Sequence, residues 1–223
     1  MEVHNLKGNG ELRIGRTELD VPHLGKILTF ILPLIGPDFH KNVMDKIDSQ
    51  ELYKPTTAEV LSLVNLALQN KEEPYCAEIL RRFKGGYLWT ATESLSFKDG
   101  VLVYDDIEGK MSQTSKSLLD LVNAKDERVR LVNPGFETGY MPISEFLKNP
   151  YAIAQIGENM METAEKVAKA FHKKEAYVNG LDRSSSDTKR LTALYSSWYD
   201  SRLNLNGNCL GGNYDGCVSG VCK

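Results

Sequence analysis

The spacing of apolar residues changes near residue 85, and this change divides the chain into two predicted parts. In the first part, apolar residues recur every three or four positions, as in helices, although two prolines interrupt the pattern between residues 19 and 52. The motif Thr56-Thr57-Ala58-Glu59 has the form of a capping box, which marks a helix start. Two amphipathic helices are predicted between this motif and Gly85-Gly86. The pattern therefore predicts a mainly helical segment over residues 1–84.

The second part, residues 85–223, mixes strand and helix patterns. Runs rich in β-branched and aromatic residues predict strands, and apolar residues at helical spacing predict helices. The predicted strands are 87–92, 101–104 and 128–132, the predicted helices are 115–122 and 150–171, and 179–190 is a predicted polar loop. Together, the two parts predict an α+β protein with a helical N-terminal segment.

The last thirty residues have a composition of their own. The window from Leu194 to Cys222 has 29 residues and contains no Lys, Glu, Gln or Met, although these four types make up 44 of the first 193 residues. At that frequency, about six or seven would be expected in the window. It holds five Gly, four Asn, four Ser, three Tyr and three Cys instead. The averages for the whole chain, 41% hydrophobic residues and a net charge of −3, hide this difference.

The missing residue types indicate a rule at the level of codons. Codons that end in C or T cannot encode Lys, Glu, Gln or Met, and an Asn codon randomised at its two adenines yields the types that the window contains. The run SSWYDSRLNLNGNCLGGNYDGCVSGVCK resembles the C-terminal variable region of diversity-generating retroelement variable proteins, of the archaeal or archaeal-virus kind. In that family, error-prone reverse transcription at template adenines rewrites such codons.

This resemblance implies a C-type-lectin-like domain over residues 85–223, with a variable region at about 194–223, that displays diversified side chains on one exposed face. The alternation in Leu203-Asn204-Leu205-Asn206 places the asparagines together on one strand face. The two leucines are expected to face inward, together with Trp198 and Val221. The residues expected to contact the ligand are Tyr199, Ser201, Asn204, Asn206, Asn208, Cys209, Leu210, Asn213, Tyr214, Asp215 and Cys217.

Composition and charge restrict the class of partner. A pI near 5.9 with scattered charge argues against nucleic-acid binding. The most apolar run, residues 27–35, is nine residues long, whereas a membrane span needs roughly 20. Tyr, Ser, Gly and Asn are the residues favoured in antibody-like contact surfaces. We therefore expect a ligand-binding protein that is not an enzyme, with a variable macromolecular ligand, expected to be a protein, and with no cofactor and no metal.

Two other functions stay open at this point. The formylglycine-generating oxidoreductases are similar in fold to the lectin-like family and use a cysteine pair for copper-assisted oxidation, for which Cys217 and Cys222 would be the candidates. A structural or assembly subunit of a virion or cell envelope would instead make its contact through residues 20–83.

Two smaller groups of residues also have alternative interpretations. The three tail cysteines could form a disulfide or bind zinc, although their spacing lacks the usual zinc-binding pair. Under the diversification hypothesis, two or three of them are sampled variants, so buried or unreactive thiols are preferred. Asp105, Asp106 and Glu108 could bind Ca²⁺, although a solvated turn is favoured, since such sites need about six to eight oxygen donors.

Overall fold

The computed structural model describes residues 2–14, 18–111, 113–196, 201–212 and 215–222. Helices and strands are mixed along this part of the chain, as the α+β prediction requires. The strands are β1 (Glu2–Asn5), β2 (Glu11–Ile14), β3 (Glu18–His23), β4 (Lys26–Ile31), β5 (Ile35–Asp38), β6 (Tyr87–Phe97), β7 (Gly100–Asp105), β8 (Val129–Val132), β9 (Gly139–Pro142), β10 (Glu175–Asn179), β11 (Thr188–Ser196), β12 (Leu203–Cys209) and β13 (Gly216–Val218). The helices are α1 (His40–Ser49), α2 (Thr57–Gln69), α3 (Pro74–Gly85), α4 (Ser115–Asn123), α5 (Ile143–Phe146), α6 (Pro150–Ile156) and α7 (Met161–Phe171), with a 3-10 turn at Glu158–Met160.

The mainly helical N-terminal segment is not confirmed, because five strands precede the first helix. In β3, Leu19, Val21 and His23 are buried and the residues between them are only half-buried, which is the two-residue period of a strand. The two prolines that interrupt the apparent helical pattern, Pro33 and Pro37, instead precede and lie within the short strand β5. Apolar residues at positions four apart fit both periods, so spacing alone did not separate helix from strand here.

The helices predicted after residue 56 are confirmed. At the start of α2, the Thr56 hydroxyl accepts the Glu59 N–H at 3.3 Å, and the Glu59 carboxylate accepts the Thr56 N–H at 2.8 Å. The α3 helix begins at Pro74, a position where the missing N–H costs nothing. Nearly every side of α2 is buried, which is expected of a helix enclosed between two layers.

Those two layers are sheets of different size. The smaller sheet has the strand order β1-β2-β3-β4, all antiparallel, and packs its apolar face on α2. The larger sheet lies on the other side of α2, α3 and α7 and has the order β5-β13-β6-β11-β12-β10-β9. The C-terminal half of β6 pairs with β7, and β7 pairs with β8.

The compositionally distinct tail is built into the larger sheet. Strand β12 lies between β11, with which it is antiparallel, and β10, with which it is parallel. Strand β13 lies between β5 and β6. The tail is therefore an interior part of the sheet, and any variation in it has to be compatible with the pairing of both strands.

The longest predicted helix, residues 150–171, is broken into α6, the 3-10 turn and α7. The break follows Gly157, whose φ of 92° is a left-handed conformation that glycine adopts without strain. The predicted loop 179–190 is shorter than expected, because β11 begins at Thr188. None of the helices within the described ranges is long and apolar enough to cross a membrane.

Candidate functional site

Strand β12 has two different faces. Leu203 and Leu205 are fully buried in the core beneath the helices, whereas Asn204 and Asn206 lie on the opposite face. The predicted alternation is thus confirmed, and so is the inward position of both leucines and of Val221. The prediction for Trp198 lies outside the described residues.

The asparagine face of β12 continues across the neighbouring strands. The register places Tyr140 of β9 opposite Tyr177 of β10. Asn204 then lies opposite Tyr177 on one side and opposite Tyr195 of β11 on the other. Since residues directly opposite each other point to the same face, one row of tyrosine and asparagine crosses four strands.

A second row lies beside the first on the same face. Asn206 is opposite Asn179 on β10 and opposite Ala193 on β11, and Ala193 is opposite Trp89 on β6. Tyr87 precedes Trp89 by two residues and shares its face. We call the resulting surface the tyrosine–asparagine face, which consists of Tyr87, Tyr140, Tyr177, Tyr195, Asn179, Asn204 and Asn206.

The tyrosines of this face contact one another in two pairs. The ring centroids of Tyr140 and Tyr177 are 4.9 Å apart, and those of Tyr87 and Tyr195 are 4.7 Å apart. Burial raises the pKa of Tyr87 and of Tyr195 above the ordinary value, so both phenols are neutral at physiological pH. Tyr140 is 61% exposed, and the other three are half-buried. Such rings offer rigid, amphipathic contact area at low entropic cost.

The asparagines and a nearby arginine are held by defined contacts. Asn179 Nδ2 donates to Asn206 Oδ1 at 3.1 Å, and Asn204 Nδ2 donates to the Arg202 carbonyl at 2.9 Å. The Arg202 guanidinium lies 4.9 Å from the Tyr140 ring centroid and pairs with Glu175 at 2.8 Å. Asn204 is 4% exposed and Asn206 is half-buried. Asn206 therefore carries the more accessible amide.

A β-bulge ends the asparagine alternation. The pairing with β11 shifts between Asn206 and Cys209, so that one more residue stands on β12 than on its partner. Asn208 Oδ1 there accepts from Arg190 Nε at 2.8 Å. At Gly207, an added Cβ would lie 2.0 Å from the hydroxyl oxygen of Tyr151 on α6. Close packing against α6 thus fixes the strand at its bulge.

The other predicted contact residues have different surroundings. Ser201, Leu210 and Asp215 are exposed, and Leu210 is 78% exposed. Cys209 and Cys217 are buried, so they do not present their side chains to a ligand at this surface. Tyr199, Asn213 and Tyr214 lie outside the described residues.

All four cysteines have free thiols. Burial raises the pKa of Cys76 and of Cys209 to about 12, and it also raises the pKa of Cys217 and Cys222. Cys217 lies in the core beside Gly36, whereas the Cys222 backbone donates to Thr29 of the smaller sheet at 2.9 Å. The two candidates for a copper-binding pair therefore have different surroundings, and neither thiol is poised to ionise at neutral pH.

The acidic residues near 105 stabilise a turn. Asp106 Oδ1 accepts the N–H groups of Lys110 and Met111 at 2.8 and 3.1 Å. Asp105 Oδ2 accepts from Arg130 at 2.6 Å. Among the residues that the structure describes, no group of three or more His, Cys, Asp or Glu side chains could hold a metal ion.

None of the four tyrosines of the tyrosine–asparagine face was predicted as a site residue. Tyr87, Tyr140 and Tyr177 lie outside the tail, and Tyr195 lies inside it. In residues 175–179, burial alternates along the strand and gives Tyr177 an outward position, a period that the sequence EAYVN already contains. The pairing of β9, β10 and β12, which brings these tyrosines beside the tail, joins distant segments and has no local sequence signal.

Searches of protein-family models, of curated proteins and of solved structures find no match to this chain. The chemistry of the tyrosine–asparagine face therefore has to be interpreted from its own residues.

Proposed function

We propose that the chain is a ligand-binding, receptor-type protein whose C-terminal surface is diversified by a retroelement on a C-type-lectin-like scaffold. The observation that carries this proposal is the separation of two kinds of residue within the tail. Leu203, Leu205 and Val221 are fully buried, whereas Ser201 and Leu210 are exposed. A tail of this kind keeps its structural positions in the core and its variable positions at the surface.

The energetics of the two kinds of position support that division. Truncating a buried leucine costs about 2 to 5 kcal/mol, a large part of the stability of an ordinary domain. Exposed substitutions usually change stability by no more than about 0.5 kcal/mol. Variation at the exposed Ser201, Leu210 and Asp215 is therefore compatible with folding. At the half-buried Asn206, loss of the amide is expected to cost about 1 kcal/mol or less. Asn204, Cys209 and Cys217 are buried, and we do not include them among the contact residues.

The ligand that fits this surface is a protein. The tyrosine–asparagine face spreads over five strands of a sheet, and it combines aromatic rings with amides. Tyrosine anchors surrounded by adaptable hydrogen-bonding groups are the chemistry of antibody contact surfaces. Four of its residues, Tyr87, Tyr140, Tyr177 and Asn179, belong to the constant part of the chain and would adjoin every variant of the tail.

The genetic part of the proposal is tested on DNA. We expect an adenine-rich near-copy of the tail codons beside a reverse transcriptase gene. Sibling sequences should differ at codons for 201, 206, 210 and 215 and keep those for Leu203, Leu205 and Val221. Equal variation at buried and exposed codons, or the lack of any near-copy, would contradict diversification.

The binding part is tested with two display libraries of the full chain. One randomises positions 201, 206, 210 and 215, and the matched control randomises 162, 166, 169 and 170 on the exposed side of α7. Both are selected against biotinylated lysozyme as a model protein ligand. Binders should come from the first library and lose affinity when Tyr140 is replaced by Ala. Equal recovery from the two libraries would mean that the tail surface has no special capacity for binding.

A further inference from the structure

An open groove of about 830 Å³ lies away from the tail, between strand β8 and helix α6. Three consecutive residues of β8, Arg130–Val132, line one side of the groove, and Ile153 and Ala154 of α6 line the other. Phe136 and Met141 add apolar surface. Consecutive residues of a strand point to opposite faces, so a cavity that touches all three meets the strand along its edge.

That edge of β8 is open to pairing. In the part of the chain that the structure describes, β8 pairs with β7 alone. The Asp105 N–H donates to the Arg128 carbonyl, which makes these residues a hydrogen-bonded pair in the β7–β8 register. Since such pairs alternate along an antiparallel ladder, Arg130 and Val132 bond to β7 and the N–H and C=O of Leu131 point outward. The Leu131 backbone therefore offers one donor and one acceptor beside the groove.

The charges around the groove are mainly negative. Glu137, Glu145 and Glu158 line it and are exposed, and no ion pair within the described ranges involves them. Of the two cationic residues that line it, Arg130 already pairs with Asp105 at 2.6 Å. Lys148 is the other. A second copy of the chain would bring two acidic surfaces together, whereas a basic segment would be attracted.

We propose that this groove binds an extended peptide of a partner protein, which adds a strand to the free edge of β8. The peptide backbone pairs with Leu131, its alternate apolar side chains pack between Val132 and Ile153, and flanking Lys or Arg residues meet the three carboxylates. This docking site is separate from the tyrosine–asparagine face and does not depend on diversification of the tail.

The test begins with a phage-displayed library of random heptapeptides selected on the full chain. Enrichment of sequences that alternate β-branched residues and carry Lys or Arg at their ends is expected. A selection without such a family would overturn the proposal. The best peptide is then synthesised with a fluorescent label and its affinity measured by anisotropy, beside a version with proline at its central position and a version with Glu in place of the basic residues. Both should bind at least about tenfold more weakly.

Variants of the chain locate the bound peptide. Leu131→Pro removes the outward N–H from an exposed edge position, where proline is tolerated, and should abolish binding. The double variant E145K/E158K leaves the strand intact and should weaken binding by about tenfold or more, whereas Glu162→Lys on the exposed side of α7 should not. Peptides that bind E145K/E158K and the native chain equally would overturn the proposal. Sedimentation that shows a dimer lost in E145K/E158K would overturn it in favour of a second copy.

Discussion

The two faces of strand β12 differ in what they contact, although their residues alternate along one short segment. Leu203 and Leu205 pack beneath α7 and its neighbours, with no exposed surface. Asn204 and Asn206 face the other way and share that face with tyrosines from four other strands. The comparison shows that a single strand can stabilise the fold with the side chains on one face and present polar side chains on the other face.

The two ends of the same strand differ as well. At its start, β12 belongs to the tyrosine–asparagine face. At its end, beyond the bulge, Cys209 is buried in a cluster with Val43 of α1 and Trp89. The window of unusual composition, Leu194 to Cys222, therefore does not correspond to one exposed surface. The fold buries one part of it and leaves another part exposed.

The sharpest test of the two faces is a pair of truncations on neighbouring residues. Leu205→Ala removes buried methyl groups from the core and should lower the free energy of unfolding by about 2 to 5 kcal/mol. Asn206→Ala removes one amide at a half-buried position and should cost about 1 kcal/mol or less. Urea denaturation of both variants measures the difference. Equal losses would mean that the two faces are not distinct in energy.

The free energy of unfolding should depend on pH through a histidine at the covered end of β12. His40, the first residue of α1, lies 5.2 Å from Trp89 between ring centroids, and burial lowers its pKa to about 4. Lys54 and Lys189 line a cavity together with His40, and their positive charges also disfavour the charged form of the imidazole. Because the folded pKa lies below the unfolded value of about 6.5, the unfolded chain binds more protons between these values. The contribution of neutral His40 to the free energy of unfolding is therefore fully present above about pH 6.5 and is lost as the pH falls toward 4.

We expect this loss to reach roughly 2 to 3 kcal/mol between pH 7 and pH 4. Urea denaturation across that range should show a shallower pH dependence in His40→Gln than in the native chain. His23, whose pKa burial also lowers, is present in both proteins and cancels in the comparison. Parallel pH profiles would show that His40 titrates alike in the folded and unfolded states.

The bulge between the two ends allows a smaller test. Gly207→Ala would place a Cβ 2.0 Å from the Tyr151 hydroxyl oxygen and 2.8 Å from Gln155 Nε2, so we expect a loss of about 1 to 3 kcal/mol from overpacking. Gly212→Ala is the matched control, since no atom lies within 4 Å of an added Cβ there. The denaturation midpoints of the two variants should differ clearly. A neutral Gly207→Ala would show that α6 can move away from the strand.

Local signals predicted local structure well. The capping box at Thr56 and the alternation at Leu203–Asn206 are each decided by residues within one turn or one strand, and both are present as predicted. Strand β3 lies in the stretch that was predicted as helical. Its buried residues Leu19 and His23 are four positions apart, a spacing that both periods contain. The pairing with β2 and β4, which the sequence does not display, makes this segment a strand.

For the same reason, only part of the candidate site could be predicted from the sequence. Asn206 and Leu210 belong to the tail, and composition indicated them. Tyr140 and Tyr177 join the face through strand pairings that link segments far apart in sequence. The burial of Cys209 likewise follows from where α1 packs, and composition carries no information about that contact.

The smallest expected changes in stability are those of substitutions at the exposed tail positions. Diversification of the tail requires that these changes be small. Leu210 is 78% exposed at the end of β12 and Asp215 is exposed before β13, so Leu210→Tyr and Asp215→Asn should each change the free energy of unfolding by no more than about 0.5 kcal/mol. The double variant should be additive within a similar margin, since additivity holds for sites without shared partners. Val218→Asn provides the contrast, because it buries an amide in a fully apolar cluster. A loss at Leu210 comparable to the loss at Val218 would mean that the exposed part of the tail is needed for folding, and a surface needed for folding cannot be varied freely.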